Sequence, residues 1–277
     1  MSKSPLKIAT VQSHVSTDVR ANGREVRGLM RQARSRGASL AHFPEGAMSG
    51  YTKAQIKNWD HVDWGTLGDE LRMTAALAGE LGLWVVFGCA HRLTPPHRPH
   101  NSLYVVSDRG ALVTRYDKRF LSHTEVTRFY TPGKDACVFE VGGWRFGCAL
   151  CIEIQFDEVF RGYADQGADC VLFSSYSEDP MFGVQAQGYA ASHGLWVSVS
   201  VPSQCSHALG SRLIAPTGEV QETVPSSGVL IETLNAGDPR WDVALHRAKP
   251  WRTLAREGRI YRARYADDRR STDQTRF

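Results

Sequence analysis

The segment Trp144-Arg145-Phe146-Gly147-Cys148-Ala149-Leu150-Cys151-Ile152-Glu153 ends an apolar run with a cysteine and follows that cysteine with an acid. The apolar run predicts a buried strand. From Phe156 to Gly167 the apolar residues recur at helical spacing, and a glycine is typical of a helix end. A strand that enters a helix through Cys151 places the sulfur at the strand's carboxyl end, where open α/β sheets bind ligands. We therefore hypothesise that Cys151 is a nucleophile.

The first part of the chain places an acid in an equivalent position. Leu6–Gln12 predicts a first strand, and Thr17-Asp18 predicts the cap of a helix that follows it. Ser39–Phe43 predicts the second strand, and a Pro-Glu-Gly sequence comes directly after it. Glu45 is therefore a carboxylate at the point where the chain leaves the sheet, as Cys151 is in the second half.

A lysine and a second glutamate lie in the middle of the chain. Asn101–Val106 and Ala111–Tyr116 are separated by a Ser-Asp-Arg-Gly turn and predict a hairpin, with Lys118 just beyond its second strand. Arg119–Lys134 is irregular and contains Glu125. Structureless segments of this length in compact domains are usually functional, which makes both side chains candidates.

The second half repeats the order of the first. After the helix that follows Cys151, we predict a strand at Cys170–Ser174, a helix at Val184–His193 and a strand at Leu195–Val201. Two further strands are predicted around Arg212–Ala215 and Val229–Thr233, on either side of a Pro-Thr-Gly turn. Two β-α-β-α-β halves with central hairpins predict an α/β protein in which an approximately two-fold sandwich of sheets is covered by helices.

The composition favours a folded cytoplasmic protein. The 277 residues, 42% of them hydrophobic, can form a core without metal or disulfide staples. The six cysteines lie mostly in apolar strand-like runs, where free cysteine behaves as a small hydrophobe, and this favours a reducing compartment. The amino-terminal residues lack the pattern of a signal peptide, and no apolar run is long enough to span a bilayer. We expect no membrane partner.

The charge pattern separates the end of the chain from the rest. The net charge is +4, and most of the excess comes from arginines after Gly237. Aromatic residues interleave with these arginines, but no recognisable nucleic-acid-binding module is present, so we expect no nucleic-acid partner. We interpret residues 1–235 as the main domain and residues 236–277 as an arm that packs on the body or on a partner subunit.

Each candidate side chain has a simpler explanation when it is considered alone. Cys151 could be a core cysteine, and it forms a Cys-x-x-Cys pair with Cys148. A zinc site would need a second pair or histidines at ligand spacing, and a redox pair would straddle a helix start, whereas Cys148 lies inside the predicted strand. Glu45 could cap a helix, Lys118 could be a solvated lysine, and Glu125 alone is uninformative.

Together, the same residues fit one mechanism. A carboxylate whose pKa is raised by burial can take the proton of a thiol. A nearby ammonium group stabilises both the thiolate and the oxyanion of a tetrahedral intermediate. Because Glu45, Lys118 and Cys151 each lie just beyond a strand, we expect them to converge at one edge of the sheet.

Three segments resemble the signature segments of the nitrilase superfamily, the carbon-nitrogen hydrolases: Phe43-Pro44-Glu45, Tyr116-Asp117-Lys118 and Gly147–Cys151. Further segments that match the spacing of the superfamily are Asn101-Ser102, Phe129–Gly133, Gln166–Asp169 and Gly210–Gly218. The resemblance covers the chain from about Leu6 to its carboxyl end, and the ordered set is more specific than any single motif.

The resemblance implies an αββα sandwich that forms at least a homodimer, with Pro250–Tyr261 at the subunit interface and with neither metal nor organic cofactor. It implies that Glu45 is the general base, Cys151 the nucleophile and Lys118 the oxyanion stabiliser, with the backbone N–H of Ile152 as a second donor. The resemblance assigns the orientation of the lysine or the substrate to a further glutamate, which matches Glu125. The implied reaction is attack on an amide-type carbon, release of ammonia or an amine, and hydrolysis of a thioester.

The substrate stays open, because the residues after Cys151 differ from those common in the superfamily. We expect a small carboxamide in a pocket completed by Tyr51, Ile152 and the segment 174–178, which includes Ser174, Ser175 and Tyr176. Nitrile hydrolysis through a thioimidate and carbamoyl or acyl transfer would use the same triad. A catalytically silent binding or scaffold protein is the alternative from a different class.

Overall fold

Two sheets form the centre of the molecule. The computed structural model describes residues 3–224 and 226–275. The strands of this described part are β1 Leu6–Gln12, β2 Leu40–His42, β3 Trp84–His91, β4 His100–Val106, β5 Leu112–Asp117, β6 Val138–Val141, β7 Trp144–Leu150, β8 Cys170–Ser174, β9 Trp196–Ser200, β10 Arg212–Ile214, β11 Val220–Thr223 and β12 Gly228–Leu234. One six-stranded sheet has the order β12-β1-β2-β3-β4-β5, and the other has the order β11-β10-β9-β8-β7-β6.

Helices connect the parallel strands of each sheet. The α-helices of the described residues are α1 Val19–Ser35, α2 Trp64–Leu81, α3 Asp157–Asp165, α4 Met181–His193, α5 Lys249–Arg256, α6 Arg259–Arg262 and α7 Arg269–Thr272. The predicted cap of α1 is confirmed, because the Asp18 side chain accepts the N–H of Arg20 at 2.8 Å. Asp63 caps α2 in the same way and accepts the N–H of Thr66 at 2.9 Å.

Side-chain alternation along the strands gives the molecule three cores. On β8, Leu172 faces the other sheet and joins the inter-sheet core, whereas Val171 and Phe173 pack in the core shared with α3 and α4. The outer face of the first sheet packs against α1 and α2 through residues such as Met30 and Leu77. The layers are therefore helix, sheet, sheet and helix, and the predicted αββα sandwich is confirmed.

The parallel part of each sheet brings several strand ends to the same edge. β1, β2 and β3 are parallel, and so are β7, β8 and β9. Glu45 comes shortly after β2, Cys151 directly after β7 and Ser175 directly after β8. The two halves therefore present their candidate side chains from matching positions, in agreement with the predicted pseudo-two-fold arrangement.

The prediction for the last strands was wrong in one respect. The strand that follows the Pro-Thr-Gly turn is β11, which pairs with β10. The segment Val229–Thr233 belongs to β12, which pairs with β1 in the other sheet, with Leu6 opposite Leu234. β11 is short, polar and at a sheet edge, so it lacks the apolar alternation by which a half-buried strand is recognised.

The first part of the carboxyl-terminal arm packs against the main domain of the same chain. Trp241 and Ala244 are buried, and Lys249 Nζ donates to the Gly194 carbonyl at 3.1 Å. Farther along, Trp251 and Tyr265 are exposed, the latter by 78%. Across the described ranges, we find no helix with the length and apolar character that a bilayer crossing requires.

Candidate active site

Cys151 lies at a strained turn between β7 and α3. Its φ angle is +49°, a left-handed conformation that residues other than glycine seldom adopt and that surrounding contacts must hold in place. A short 3-10 helix, Cys151–Gln155, begins at this residue. The turn carries the side chain out of the sheet, and the residue keeps 8% of its surface accessible. Cys148 remains fully buried in the inter-sheet core, as predicted.

The Glu153 carboxylate joins the cysteine turn to the segment that carries the lysine. It accepts the backbone N–H groups of Leu150 at 2.8 Å, Arg119 at 2.8 Å and Phe120 at 3.0 Å. It also accepts the Tyr116 hydroxyl at 2.8 Å. This carboxylate is fully buried, and its contacts reach residues on both sides of the lysine at position 118. Glu153 therefore sets the distance between the two segments.

Glu45 is a buried carboxylate with a complete set of donors. Its Oε1 accepts the Asn101 side-chain amide at 2.7 Å and the Lys118 ammonium at 3.2 Å. Its Oε2 accepts the backbone N–H of Tyr176 at 2.8 Å. Burial raises the pKa of Glu45, and the positive charge of Lys118 opposes that rise. The carboxylate is thus fixed in place while its affinity for a proton is increased.

A glycine allows the Glu45 loop to lie directly on the neighbouring strand. A Cβ atom on Gly88 of β3 would stand 2.4 Å from the Pro44 carbonyl oxygen and 2.7 Å from the Glu45 Cα. No side chain fits at that distance. Any larger residue at position 88 would push the Glu45 loop away from the lysine.

Lys118 is a fully buried ammonium group between two carboxylates. Its Nζ donates to Glu125 Oε1 at 2.8 Å and to Glu45 Oε1 at 3.2 Å. Burial alone would lower the pKa of Lys118, but Glu45, Cys151 and Glu125 outweigh burial and raise this pKa well above its usual range. Burial would raise the pKa of Glu125, but Lys118 and Ser122 lower it. The lysine is therefore positively charged at neutral pH.

The Cys151 thiol is protonated at neutral pH. Burial raises its pKa to about 12, and the charge of Glu45 adds to this, whereas Lys118 acts in the opposite direction. A thiol in this state needs a base within reach to become a nucleophile. Glu45 is the carboxylate with the largest influence on this thiol, and its own raised pKa suits the acceptance of a proton.

A cavity of about 420 Å³ opens above the sulfur. Cys151, Glu125, Ile152, Tyr51 and Tyr176 line it together with Lys53, Ala54, Ser122, Ser177, Glu178 and Cys205. The rings of Tyr51 and Tyr176 stack with centroids 4.8 Å apart, and Gln55 donates to the Tyr176 hydroxyl at 2.9 Å. This cavity is large enough for a small organic molecule.

The structure brings most of the predicted side chains together, but not all of them. Tyr51, Ile152 and Tyr176 line the cavity, and Ser175 is buried beside the sulfur. Ser174 is placed elsewhere. Its hydroxyl lies inside the sandwich, where it donates to the Phe43 carbonyl at 2.8 Å. Consecutive residues at a strand end point to opposite faces, so two adjacent serines do not both reach one pocket.

Two residues that hold the site were noted in the sequence but were not assigned a role there. Asn101 lies on β4, and Glu153 follows Cys151 by two positions. A polar residue within an apolar strand and an acid beside an apolar strand end were the available signals. Neither signal shows which group the side chain contacts. Within the described ranges, no group of three or more His, Cys, Asp or Glu side chains is arranged to hold a metal ion.

Residues 7–238 match the family model of the carbon-nitrogen hydrolases. The chain belongs to this family. The hydrolase is 23% identical to the omega-amidase of Bos taurus over 235 residues, which cover 77% of this chain and 82% of the relative. It is 24% identical to the omega-amidase of Danio rerio over 234 residues, which cover 78% of this chain and 83% of that protein.

Solved structures of amidases have the same fold as this chain. An amidase from Nesterenkonia sp. matches the hydrolase with a TM-score of 0.73 and 19% identity, covering 90% of this chain and 96% of that one. A cysteine-to-alanine mutant of the Nesterenkonia amidase in complex with butyramide matches with a TM-score of 0.75 and 19% identity, covering 92% and 97%. The protein is thus a carbon-nitrogen hydrolase, and it acts on non-peptide C–N bonds.

Proposed function

We propose that this hydrolase cleaves a small carboxamide through a thioester on Cys151. One observation carries the proposal: Lys118 Nζ stands 3.2 Å from Glu45 and 2.8 Å from Glu125, next to a protonated thiol at the base of a cavity. A base, a fixed positive charge and a nucleophile are the groups that acyl transfer requires.

The first half of the reaction forms the thioester. Glu45 takes the proton of the Cys151 thiol while the sulfur attacks the carbonyl carbon of the amide. The oxyanion accepts hydrogen bonds from Lys118 Nζ and from the Ile152 N–H, which is in the first turn of a short helix and therefore has no partner within that helix. The intermediate collapses, the C–N bond breaks, and Glu45 returns the proton to the leaving nitrogen.

The second half of the reaction releases the acid. A water molecule gives a proton to Glu45 and adds to the thioester carbon, again with the oxyanion at Lys118 and Ile152. The C–S bond then breaks, the carboxylic acid leaves, and the sulfur recovers its proton. Glu45 must accept and return a proton in each half of the reaction. Its raised pKa favours this role as general base and general acid.

A lysine at the cavity mouth favours a substrate that carries a carboxylate at the end opposite its amide. Lys53 lines the cavity, and its Nζ lies 3.4 Å from the Ser122 hydroxyl. None of the described residues forms an ion pair with this ammonium group, so it can bind a substrate carboxylate. Both of the relatives described above are named omega-amidases, which agrees with an amide at one end of an acid.

Ammonia release from a panel of amides tests the proposed function. The panel contains aliphatic amides, the monoamides of dicarboxylic acids and the corresponding nitriles. We expect ammonia from at least one amide, and a loss of at least about 10⁴-fold in kcat/KM for Cys151→Ala with an unchanged circular dichroism spectrum. Turnover that survives Cys151→Ala, or turnover of nitriles alone, would contradict the proposal.

We also propose that the chain forms a homodimer through residues 250–261. Trp251, Leu254 and Tyr261 are exposed in the single chain by 53%, 39% and 40%, which supports an apolar contact with a second subunit. Trp251→Glu with Leu254→Glu should halve the mass measured by light scattering. Val243→Glu, at an exposed position earlier in the arm, is the matched control. A dimer that persists in the double variant would refute this interface.

A further inference from the structure

Ser175 lies beside Cys151 because two neighbouring strands end in register. β7 and β8 pair in parallel, and Leu150 is the partner of Ser174. The residues that follow this pair, Cys151 and Ser175, therefore leave the sheet side by side at its carboxyl edge. The backbone N–H of Ser175 donates to the Ser200 carbonyl at 2.9 Å, which fixes the residue against β9.

The Ser175 hydroxyl is buried and unused. It is fully shielded from solvent and makes no hydrogen bond of normal geometry with any residue in 3–224 or 226–275. A buried hydroxyl in this state is costly, so its presence needs a reason. The group that it approaches is the Cys151 sulfur, and its interaction with that sulfur opposes the large effect of burial on the pKa of the thiol.

The other groups near the sulfur do not supply this hydrogen bond. Glu45 and Glu125 are negative and disfavour charge on the sulfur, and the Tyr51 phenol also interacts with it. Lys118 is positive and favours charge on the sulfur, but two of its three N–H groups donate to the carboxylates, and the proposed mechanism assigns the third to the oxyanion. Among the residues that the structure describes, the hydroxyl of Ser175 has no competing acceptor, so it can turn its proton toward the sulfur.

We propose that Ser175 is a catalytic residue that donates a hydrogen bond to the Cys151 sulfur as negative charge develops there. The serine keeps its proton throughout. It lowers the barrier when the thiol loses its proton to Glu45, and again when the sulfur leaves the thioester. The inference rests on the proposed function, because it assumes that Cys151 is the nucleophile.

Alkylation of Cys151 by iodoacetate, which has no amide group, tests this role without any turnover. The rate is measured in the full-length protein from pH 6 to 10, with peptide mapping to separate Cys151 from the other cysteines. The pKa of the thiol, about 12, lies above this range, so the thiolate fraction falls tenfold for each unit by which that pKa rises. In Ser175→Ala we expect a rate roughly 10- to 100-fold lower throughout the range. Ser175→Thr, which retains a hydroxyl, should restore most of the rate.

Ser13→Ala is the matched control. Ser13 also carries a buried hydroxyl without a normal hydrogen bond, but it follows β1 and, unlike Ser175, is not among the groups that interact with the Cys151 sulfur. Its removal should leave the alkylation profile unchanged. If Ser175→Ala fails to fold, Ser175→Gly provides the same deletion. A folded variant without the hydroxyl that keeps the wild-type profile would overturn the inference, as would an equal change in Ser13→Ala. Failure of the wild-type Cys151 to react would instead count against the proposed function.

Discussion

Two buried polar clusters connect the sheets, and they differ in charge. The site cluster consists of Glu45, Lys118, Glu125 and Cys151. The histidine cluster consists of Thr10, His42, Ser174 and Ser198. His42 Nδ1 lies 2.9 Å from Ser198 Oγ, and its Nε2 lies 2.8 Å from Ser174 Oγ.

The histidine cluster is neutral and complete. Burial lowers the pKa of His42 to about 3, so the ring is uncharged at neutral pH. Thr10 Oγ1 lies 2.7 Å from Ser198 Oγ, so each side chain of the cluster has a partner. The site cluster, in contrast, holds charges and opens to a cavity. The neutral cluster fixes the strand ends, and the charged cluster next to it can change its protonation.

Among the changes that compare the two clusters, the largest effect on activity is expected when a carboxylate of the site cluster is replaced by a neutral amide. Glu45→Gln removes the proposed base and keeps one of the two oxygens, so the glutamine can still accept either the Asn101 amide or the Tyr176 N–H. We expect kcat to fall by about 10²- to 10⁴-fold, because a carboxamide does not accept the thiol proton. Steady-state kinetics on the best amide measures this. Glu140→Gln, at an exposed position on β6, should be neutral. A wild-type rate in Glu45→Gln would remove the carboxylate from the mechanism.

A change in the histidine cluster should alter the pH dependence of the free energy of unfolding and leave the catalytic rate unchanged. The unfolded chain binds a proton at His42 below about pH 6.5, whereas the folded chain does so only near pH 3. The folded state therefore loses stability as the pH falls through this window, by about 1.4 kcal/mol per unit. Between pH 7.5 and pH 5, wild type should lose about 2 kcal/mol more than His42→Gln in urea unfolding. Equal losses would show that the ring is not held neutral.

The smallest effect is expected at the cavity mouth. Lys53→Ala should raise KM about twofold to fivefold for the monoamide of a dicarboxylic acid, because an exposed ion pair contributes little. KM for an uncharged amide of equal length should not change. Lys134→Ala, another exposed lysine, provides the control. The same rise in KM for both amides would exclude a carboxylate contact and indicate a general effect on the cavity.

The sequence predicts the ends of the long strands better than the direction of their side chains. Glu45, Lys118 and Cys151 were correctly expected to converge, because each follows a recognisable apolar strand. Ser174 was placed in the pocket, but it bonds to His42 across the sandwich, from a strand more than a hundred residues away in the chain. No local pattern encodes such a partner. The strained φ angle of Cys151 is likewise set by tertiary contacts.

The central claim is that the Cys151 sulfur carries the acyl group between the two halves of the reaction. Intact-protein mass spectrometry of the wild-type protein, quenched in acid within milliseconds of mixing with an amide that it hydrolyses, tests it most directly. We predict a mass increase of one acyl group that maps to Cys151 and is absent in Cys151→Ala. An acyl group on any other residue, or turnover of the amide by Cys151→Ala, would contradict the claim.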